Sequence, residues 1–385
     1  MTLVIGIIGT GAMGAGIAQV AASNGCKVLL HDTNSTMLEK AIDSIKNSLA
    51  KLVEKGKLNT DEQIAILSNI TSHQHIDDLS GCNMIIEAIV EDLNVKQKVF
   101  TALEQLVRAD CILASNTSSL SIASIAAACK NKDRVIGIHF FNPAVLMPLV
   151  EIIPALTTSQ KVFDESLAII KSWGKVTVKA KDTPGFIVNR LARPYYGEAI
   201  KMYEEGIADF ATIDHAMRTL GGFKMGPFEL MDFIGNDVNY RVTETVWQQF
   251  FYDARYRPSL TQKRLFEAGL FGRKSGKGYY DYSVAEMPKH TTDEALLQKI
   301  FLRIISMLIN EAAEALLLQI GTRDDLDLAM VKGVNYKQGL LKWADEIGLS
   351  NILNELNELH HWFGDDRYRP STMLKQKVKE GSLFY

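Results

Sequence analysis

The chain has 385 residues, 47% of them hydrophobic and 23% charged, with a formal net charge of −3. That length accommodates two or three domains at about 100–200 residues each, and the composition is ordinary for a globular chain. A charge balance this close to neutral gives no electrostatic footing for nucleic acid or for an anionic membrane surface.

Residues 3–32 form the first readable unit. A short apolar run, Leu3 to Ile8, reads as a buried strand and enters Gly9-Thr10-Gly11-Ala12-Met13-Gly14, a G-x-G-x-x-G. Small apolar residues from Ala15 to Ala22 suit a helix, and a second strand-like run, Lys27 to Leu30, ends in His31-Asp32. Strand, glycine turn, helix, strand and acid make one βαβ unit of dinucleotide-binding type. Gly9 permits the tight turn, Gly11 lets a pyrophosphate approach the backbone, and Gly14 permits close helix packing. The helix start offers free N–H groups to the phosphates. A carboxylate at Asp32 can accept both ribose hydroxyls of NAD and would repel the 2′-phosphate of NADP. No basic residue precedes the first apolar run, and six glycines fall between Gly6 and Gly25, so neither a secretory signal nor a spanning helix is expected.

After Asp32, residues 36–55 read as one amphipathic helix stopped by Gly56, and Asp61 to Leu67 as a shorter one. The pair is expected to stand off the sheet near the cofactor's mouth, either as a solvated hairpin or as a substrate contact. Strands then alternate with helices. Asn83–Ala88 is a strand, followed by a helix through Arg108; Cys111–Ser115 is a strand, followed by a helix near Ser121–Cys129. Val135–Phe140 and Leu149–Ile153 are strands, Gln160–Trp173 is a helix, and Val176–Val178 is a last strand. This alternation predicts an α/β, Rossmann-type doubly wound parallel sheet with ligands at the carboxyl ends of its strands.

From Pro184 the strand-like runs vanish and helical periodicity takes over, beginning with a long helix over Phe186–Gly206. This all-α region contains itself twice. Arg255-Tyr256-Arg257-Pro258-Ser259 recurs as Arg367-Tyr368-Arg369-Pro370-Ser371. At 113 positions, Glu198 matches Glu311, Asp214 matches Asp327, Gly226 matches Gly339, Asp232 matches Asp345 and Gly235 matches Gly348. The expected domains are 1–184 for the dinucleotide, 185–285 for the first helical copy and 286–385 for a second, truncated copy. A duplicated unit can replace a dimer partner, because a two-fold interface needs only the same patch twice. The four cysteines, Cys26, Cys82, Cys111 and Cys129, lack C-x-x-C spacing and an accompanying histidine cluster. They read as reduced structural thiols in a cytoplasmic compartment, with no metal site.

His139 ends a strand at the nucleotide edge, and Glu151 lies twelve residues on in the adjoining strand. A carboxylate beside an imidazole fixes its tautomer and raises its basicity, which suits a base for a hydroxyl proton. A lone histidine after an apolar strand can equally be a satisfied core residue. Asn116-Thr117-Ser118-Ser119 is either a helix cap or a set of substrate hydrogen bonds. Asn189 in Phe186-Ile187-Val188-Asn189-Arg190 is either a buried amide or a ligand group. Glu91 and Lys96 flank a strand-to-helix turn, where solvated surface charge is the plain alternative.

The G-x-G-x-M-G-x-G-I-A-Q run with Asp32, together with IVEDLNVK, SNTSSL, IGIHFFNP, LVEII, DTPGFIVNR and MGPFELMDFIG, resembles the 3-hydroxyacyl-CoA dehydrogenase family over residues 3–282. The resemblance implies NAD as cofactor and an acyl-CoA as substrate, with His139 as general base and Glu151 orienting it. Ser118 and Asn189 would hydrogen-bond the substrate oxygen. Gly9, Gly11, Met13, Gly14, Asp32, Glu91, Lys96 and Asn116 would line the cofactor, and residues 33–58 would run along the CoA. The doubled helical part resembles the dehydrogenase part of fatty-acid oxidation multienzymes, without a hydratase part. The rival of similar architecture is a 3-hydroxy acid or sugar-acid dehydrogenase, which typically places a lysine where this chain has Asn189. A non-catalytic NAD-binding relative is the reading from outside the enzymes.

Overall fold

The computed structural model describes residues 2–284 and 288–385. The expected boundary between the helical copies, at 285/286, lies outside the described residues. The chain divides into two compact units, Met1–Thr183 and Pro184–Tyr385.

Unit 1 is one eight-stranded sheet. Its strands are β1 (Val4–Ile8), β2 (Lys27–His31), β3 (Ile70–His73), β4 (Met84–Glu87), β5 (Ile112–Ser115), β6 (Val135–Phe140), β7 (Leu149–Pro154) and β8 (Val176–Lys179). They lie in the order β3-β2-β1-β4-β5-β6-β7-β8. The helices are α1 (Ala12–Ser23), α2 (Ser35–Glu54), α3 (Thr60–Ser68), α4 (Leu93–Leu106), α5 (Ile122–Ala126) and α6 (Gln160–Ser172). β4, β5 and β6 are buried at every residue, as parallel strands covered on both faces must be.

Three details depart from the sequence reading. The sheet is parallel except between β6 and β7. No helix intervenes between these two strands, so the chain can only return antiparallel. The four-residue edge strand β3 was not anticipated. Only two of its residues, Ile70 and Thr71, have strand-favouring side chains, and its pattern is too short to show a period. The α2–α3 pair is not a wholly solvated hairpin. Leu38, Ala41, Ile45 and Leu49 form a buried stripe at helical spacing that joins the core containing α1.

Unit 2 is helical. The first copy comprises α7 (Val188–Leu191), α8 (Arg193–Glu204), α9 (Phe210–Thr219), α10 (Pro227–Ile234), α11 (Asn236–Gln249) and α12 (Leu260–Glu267). The second comprises α13 (Glu294–Leu317), α14 (Arg323–Gly333), α15 (Leu340–Ile347), α16 (Leu349–Phe363) and α17 (Thr372–Glu380). The long helix expected over 186–206 is broken at Ala192. Pro194 has no N–H for the Arg190 carbonyl, and its fixed φ starts α8 afresh.

The repeat is visible in the bonds. Asp214 accepts the Phe228 and Glu229 N–H groups at 2.8 Å each and the Tyr280 hydroxyl. Asp327 accepts the Leu341 and Lys342 N–H groups and the Tyr385 hydroxyl. Asp232 accepts the N–H groups of Tyr279 and Tyr280, and Asp345 those of Phe384 and Tyr385. Tyr385 thus does for the second copy what Tyr280 does for the first. The segment that makes the second copy shorter is therefore an internal one, corresponding to the turn around Gly272–Gly278.

The two copies also exchange side chains. Glu198 of the first copy accepts from Arg303 at 2.6 Å and from the Tyr368 hydroxyl at 2.8 Å, both in the second. Glu311 of the second copy accepts from Arg190 and the Tyr256 hydroxyl, both at 2.5 Å and both in the first. Each contact and its reciprocal are present, which is the pattern of a two-fold interface.

Candidate functional site

At the end of β1 the chain turns through Gly9, whose φ is +93°. A Cβ there would lie 2.6 Å from the Ala88 carbonyl oxygen, so only glycine fits. A Cβ on Gly14 would lie 1.9 Å from the Gly9 carbonyl oxygen, so the start of α1 sits directly on the turn. Gly11 differs: its φ is ordinary, and nothing lies within 4 Å of the position a Cβ would take. No packing inside the chain requires glycine there, whereas a ligand lying against the backbone would. Gly11 caps α1 without a side-chain acceptor, and the first turn carries no acid, so its N–H groups suit an anion. Met13 is half-buried against the hydrophobic core.

Asp32 follows β2 directly. Its Oδ2 accepts from the Thr10 N–H at 3.1 Å and the Thr10 hydroxyl at 2.8 Å, and its Oδ1 from the Asn34 N–H at 3.0 Å. Burial pushes its pKa up, but these donors outweigh it and hold the carboxyl below its usual range. An ionised carboxylate has further lone pairs for two ribose hydroxyls. A cleft of about 820 Å³ joins Gly9, Gly11 and Asp32 to Ile76, Val90 and Val95. Glycine backbone, helix N-terminus, acid and apolar walls fit a bound dinucleotide.

A second cluster occupies the ends of β4 and β5. Lys96 is 1% exposed, with its Nζ 2.6 Å from Glu87 and 3.3 Å from Glu91. Solvated surface charge is therefore the wrong description of Lys96. Glu91 also accepts from the Thr117 hydroxyl, the Ser118 N–H at 3.0 Å and the Ser119 hydroxyl at 3.1 Å. Burial raises the Glu91 pKa, and Lys96, Thr117 and the Ser118 N–H more than reverse that. The Asn116 Oδ1 accepts from the Phe140 N–H at 2.8 Å, tying the end of β5 to β6. Helix capping, the bland reading of Asn116–Ser119, belongs instead to Ser121, which caps α5.

Glu87 went unflagged in the sequence. It is fully buried and accepts from Lys96, from the Ser115 hydroxyl at 2.7 Å and from the Ile89 N–H at 2.7 Å. Thr10 went unflagged as well. A carboxylate inside an otherwise apolar strand, nine residues before a lysine, was the available signal.

His139 and Glu151 form the third cluster. They face each other as register partners across β6 and β7. The His139 Nδ1 lies 2.6 Å from the Glu151 Oε2, with His139 5% exposed and Glu151 fully buried. The antiparallel turn makes this pair, because residues that flank a short return meet across the ladder. Asn189 stands in α7 of the other unit, one residue before Arg190.

The profile described as "3-hydroxyacyl-CoA dehydrogenase, NAD binding domain" matches residues 4–183. The profile described as "3-hydroxyacyl-CoA dehydrogenase, C-terminal domain" matches twice, at residues 185–282 and 300–384. The chain belongs to the 3-hydroxyacyl-CoA dehydrogenase family. It is an NAD-dependent oxidoreductase that converts 3-hydroxyacyl-CoA to 3-oxoacyl-CoA. It is 36% identical to a 3-hydroxyadipyl-CoA dehydrogenase of Escherichia coli, covering 97% of each chain. It is 40% identical to a 3-hydroxybutyryl-CoA dehydrogenase of Clostridioides difficile, covering 72% of this dehydrogenase and 99% of the relative. The crystal structure of 3-hydroxybutyryl-CoA dehydrogenase from Escherichia coli K12 superposes with a TM-score of 0.94 at 34% identity, covering 99% of each chain. No described helix of this dehydrogenase is long and apolar enough to cross a membrane.

Proposed function

We propose that this dehydrogenase oxidises short-chain (S)-3-hydroxyacyl-CoA thioesters with His139 as the base. The single observation that carries the reading is the buried His139–Glu151 pair, 2.6 Å apart at register positions on adjoining strands. Glu151 holds Nδ1, so proton exchange with the substrate hydroxyl passes through Nε2. The carboxylate stabilises the imidazolium that forms, as a buried anion beside a developing cation does. Bound NAD supplies the acceptor for the hydride. Gly9, Gly11, Met13 and Gly14 support its phosphates, and Asp32 its ribose. Glu91 and Lys96 are assigned to the nicotinamide half, and Asn116 to the cofactor, on the family resemblance. Ser118 and Asn189 are assigned to the substrate oxygen on the family resemblance, and residues 33–58 to the CoA.

The names of the relatives favour acyl chains of four to six carbons. NADH oxidation should proceed with acetoacetyl-CoA, and fall away with NADPH or with free acetoacetate. Activity on the free acid alone would favour the hydroxy-acid rival. A series from four to twelve carbons should peak at the short end, and a peak at the long end would overturn the chain-length reading.

We also infer that the tandem helical copies take the place of a homodimer partner. The reciprocal Glu198–Arg303 and Glu311–Arg190 bonds support this. A cytoplasmic location is proposed on the thiols. Cys26, Cys82, Cys111 and Cys129 are free and buried, and burial pushes Cys82 and Cys111 up to about 12.

A further inference from the structure

Among the described residues, one buried cation in the helical unit has no acid beside it. Arg193 opens α8 and is 8% exposed. Its Nε donates to the Asn189 carbonyl at 3.0 Å and its Nη1 to the Thr243 hydroxyl at 3.2 Å. Its guanidinium carbon lies 4.9 Å from the centroid of the Tyr196 ring. Among the described residues, the groups that act on its charge are the Tyr196 and Tyr336 hydroxyls, with no carboxylate among them. A buried guanidinium without a counter-charge is costly, and buried charges are normally paired. The other deeply buried arginines of this unit obey that rule: Arg190 has Glu311, and Arg303 has Glu198.

The internal repeat separates scaffold from function. Residues that build the fold recur 113 positions on: Arg190 as Arg303, Glu198 as Glu311, Asp214 as Asp327. Arg193 does not recur, and its counterpart is Ser306. Its neighbours do not recur either: Asn189 corresponds to Leu302, Tyr196 to Ile309 and Thr243 to Leu356. The first copy therefore holds a polar group of four where the second is mainly apolar. A further unused donor lies nearby. The Tyr336 hydroxyl is buried and has no hydrogen-bond partner among the described residues, and Arg193 pulls its pKa down against the upward push of burial. An uncompensated cation and an unspent hydroxyl together call for an anionic oxygen ligand.

We propose that Arg193 determines specificity at the far end of the acyl chain, by binding a second carboxylate there. This rests on the reading that Asn189 meets the substrate's reacting oxygen. Arg193 follows Asn189 by four residues, across the break at Ala192, and its Nε bonds the Asn189 carbonyl at 3.0 Å, so the two side chains start from neighbouring backbone. In a six-carbon dicarboxylic chain only three carbon–carbon bonds separate the hydroxyl-bearing carbon from the far carboxylate, a span short enough for two such neighbours to serve its two ends. The guanidinium fork suits a carboxylate, and a methyl end would leave the charge buried and uncompensated.

The test compares kcat/KM for two six-carbon thioesters, 3-hydroxyhexanedioyl-CoA and 3-hydroxyhexanoyl-CoA, which differ only at the terminal group. The wild-type enzyme should favour the dicarboxylic substrate by on the order of 30-fold or more, the usual effect of a desolvated charge pair. Arg193→Met should bring that ratio towards one, chiefly through KM for the dicarboxylic substrate. Arg193→Lys, which keeps the charge and guards against a folding defect in the methionine variant, should restore part of it. Equal kcat/KM for the two substrates in the wild type, or a ratio unmoved by Arg193→Met, would overturn the proposal and leave the reaction assignment standing. Turnover of neither substrate would overturn the short-chain reading and the proposal with it.

Discussion

The chemistry of unit 1 depends on a few carboxylates placed at strand ends. His139 and Glu151 were legible as a pair because they lie twelve residues apart on two successive apolar strands. Asp32 was legible because the βαβ unit fixes where its acid falls. Glu87 was not, since a charged residue in a buried strand reads as noise until its partner is in place. Lys96 illustrates the same point from the other side: helical charge pattern suggests a surface residue, yet tertiary packing buries it between two acids. Lys96→Met should therefore be strongly destabilising. It leaves Glu87 buried without its cation, a loss of about 3–5 kcal/mol. Urea denaturation measures this, and a loss below about 1 kcal/mol would show that Glu87 is compensated by Ser115 and the Ile89 N–H alone.

At the scale of elements, the strands and most helices followed from periodicity, and the failures have local causes. β3 is too short to carry a pattern, the 186–206 helix is interrupted by Pro194, and β7 runs antiparallel because its connection is short. The repeated aspartates were visible only as identities in the sequence; the structure gives Asp214 and Asp327 a task, which is to receive the N-terminal N–H groups of α10 and α15. Burial raises the Asp214 pKa to about 7, its hydrogen bonds only partly opposing this, and it raises Asp327 as well. A carboxyl that holds its proton more tightly when folded contributes stability that is whole below the ordinary value of 3.8 and is lost as pH rises through about 7. Asp214→Asn, neutral at every pH, should flatten part of the decline in urea midpoint between pH 5 and pH 8. An unchanged decline would mean that Asp214 titrates normally.

For the whole molecule, the repeat has a mechanical meaning that the sequence only suggested. The first copy's glutamate is held by the second copy's arginine and tyrosine, and the reverse holds equally. The Clostridioides difficile relative is matched over 99% of its own length by 72% of this chain, so this chain carries length that the relative lacks. Sedimentation equilibrium should therefore give the 42.8 kDa of one chain. A stable species of twice that mass would contradict a partner supplied from within.

The most direct test of the account concerns the proton. Turnover of acetoacetyl-CoA and the dissociation constant of NADH would be measured for the wild type and His139→Ala. Loss of a positioned base should lower turnover on the order of 10²–10⁴-fold, with NADH affinity kept because Asp32, Thr10 and the glycine turn are untouched. Turnover near that of the wild type would remove His139 from the base role and contradict the central claim.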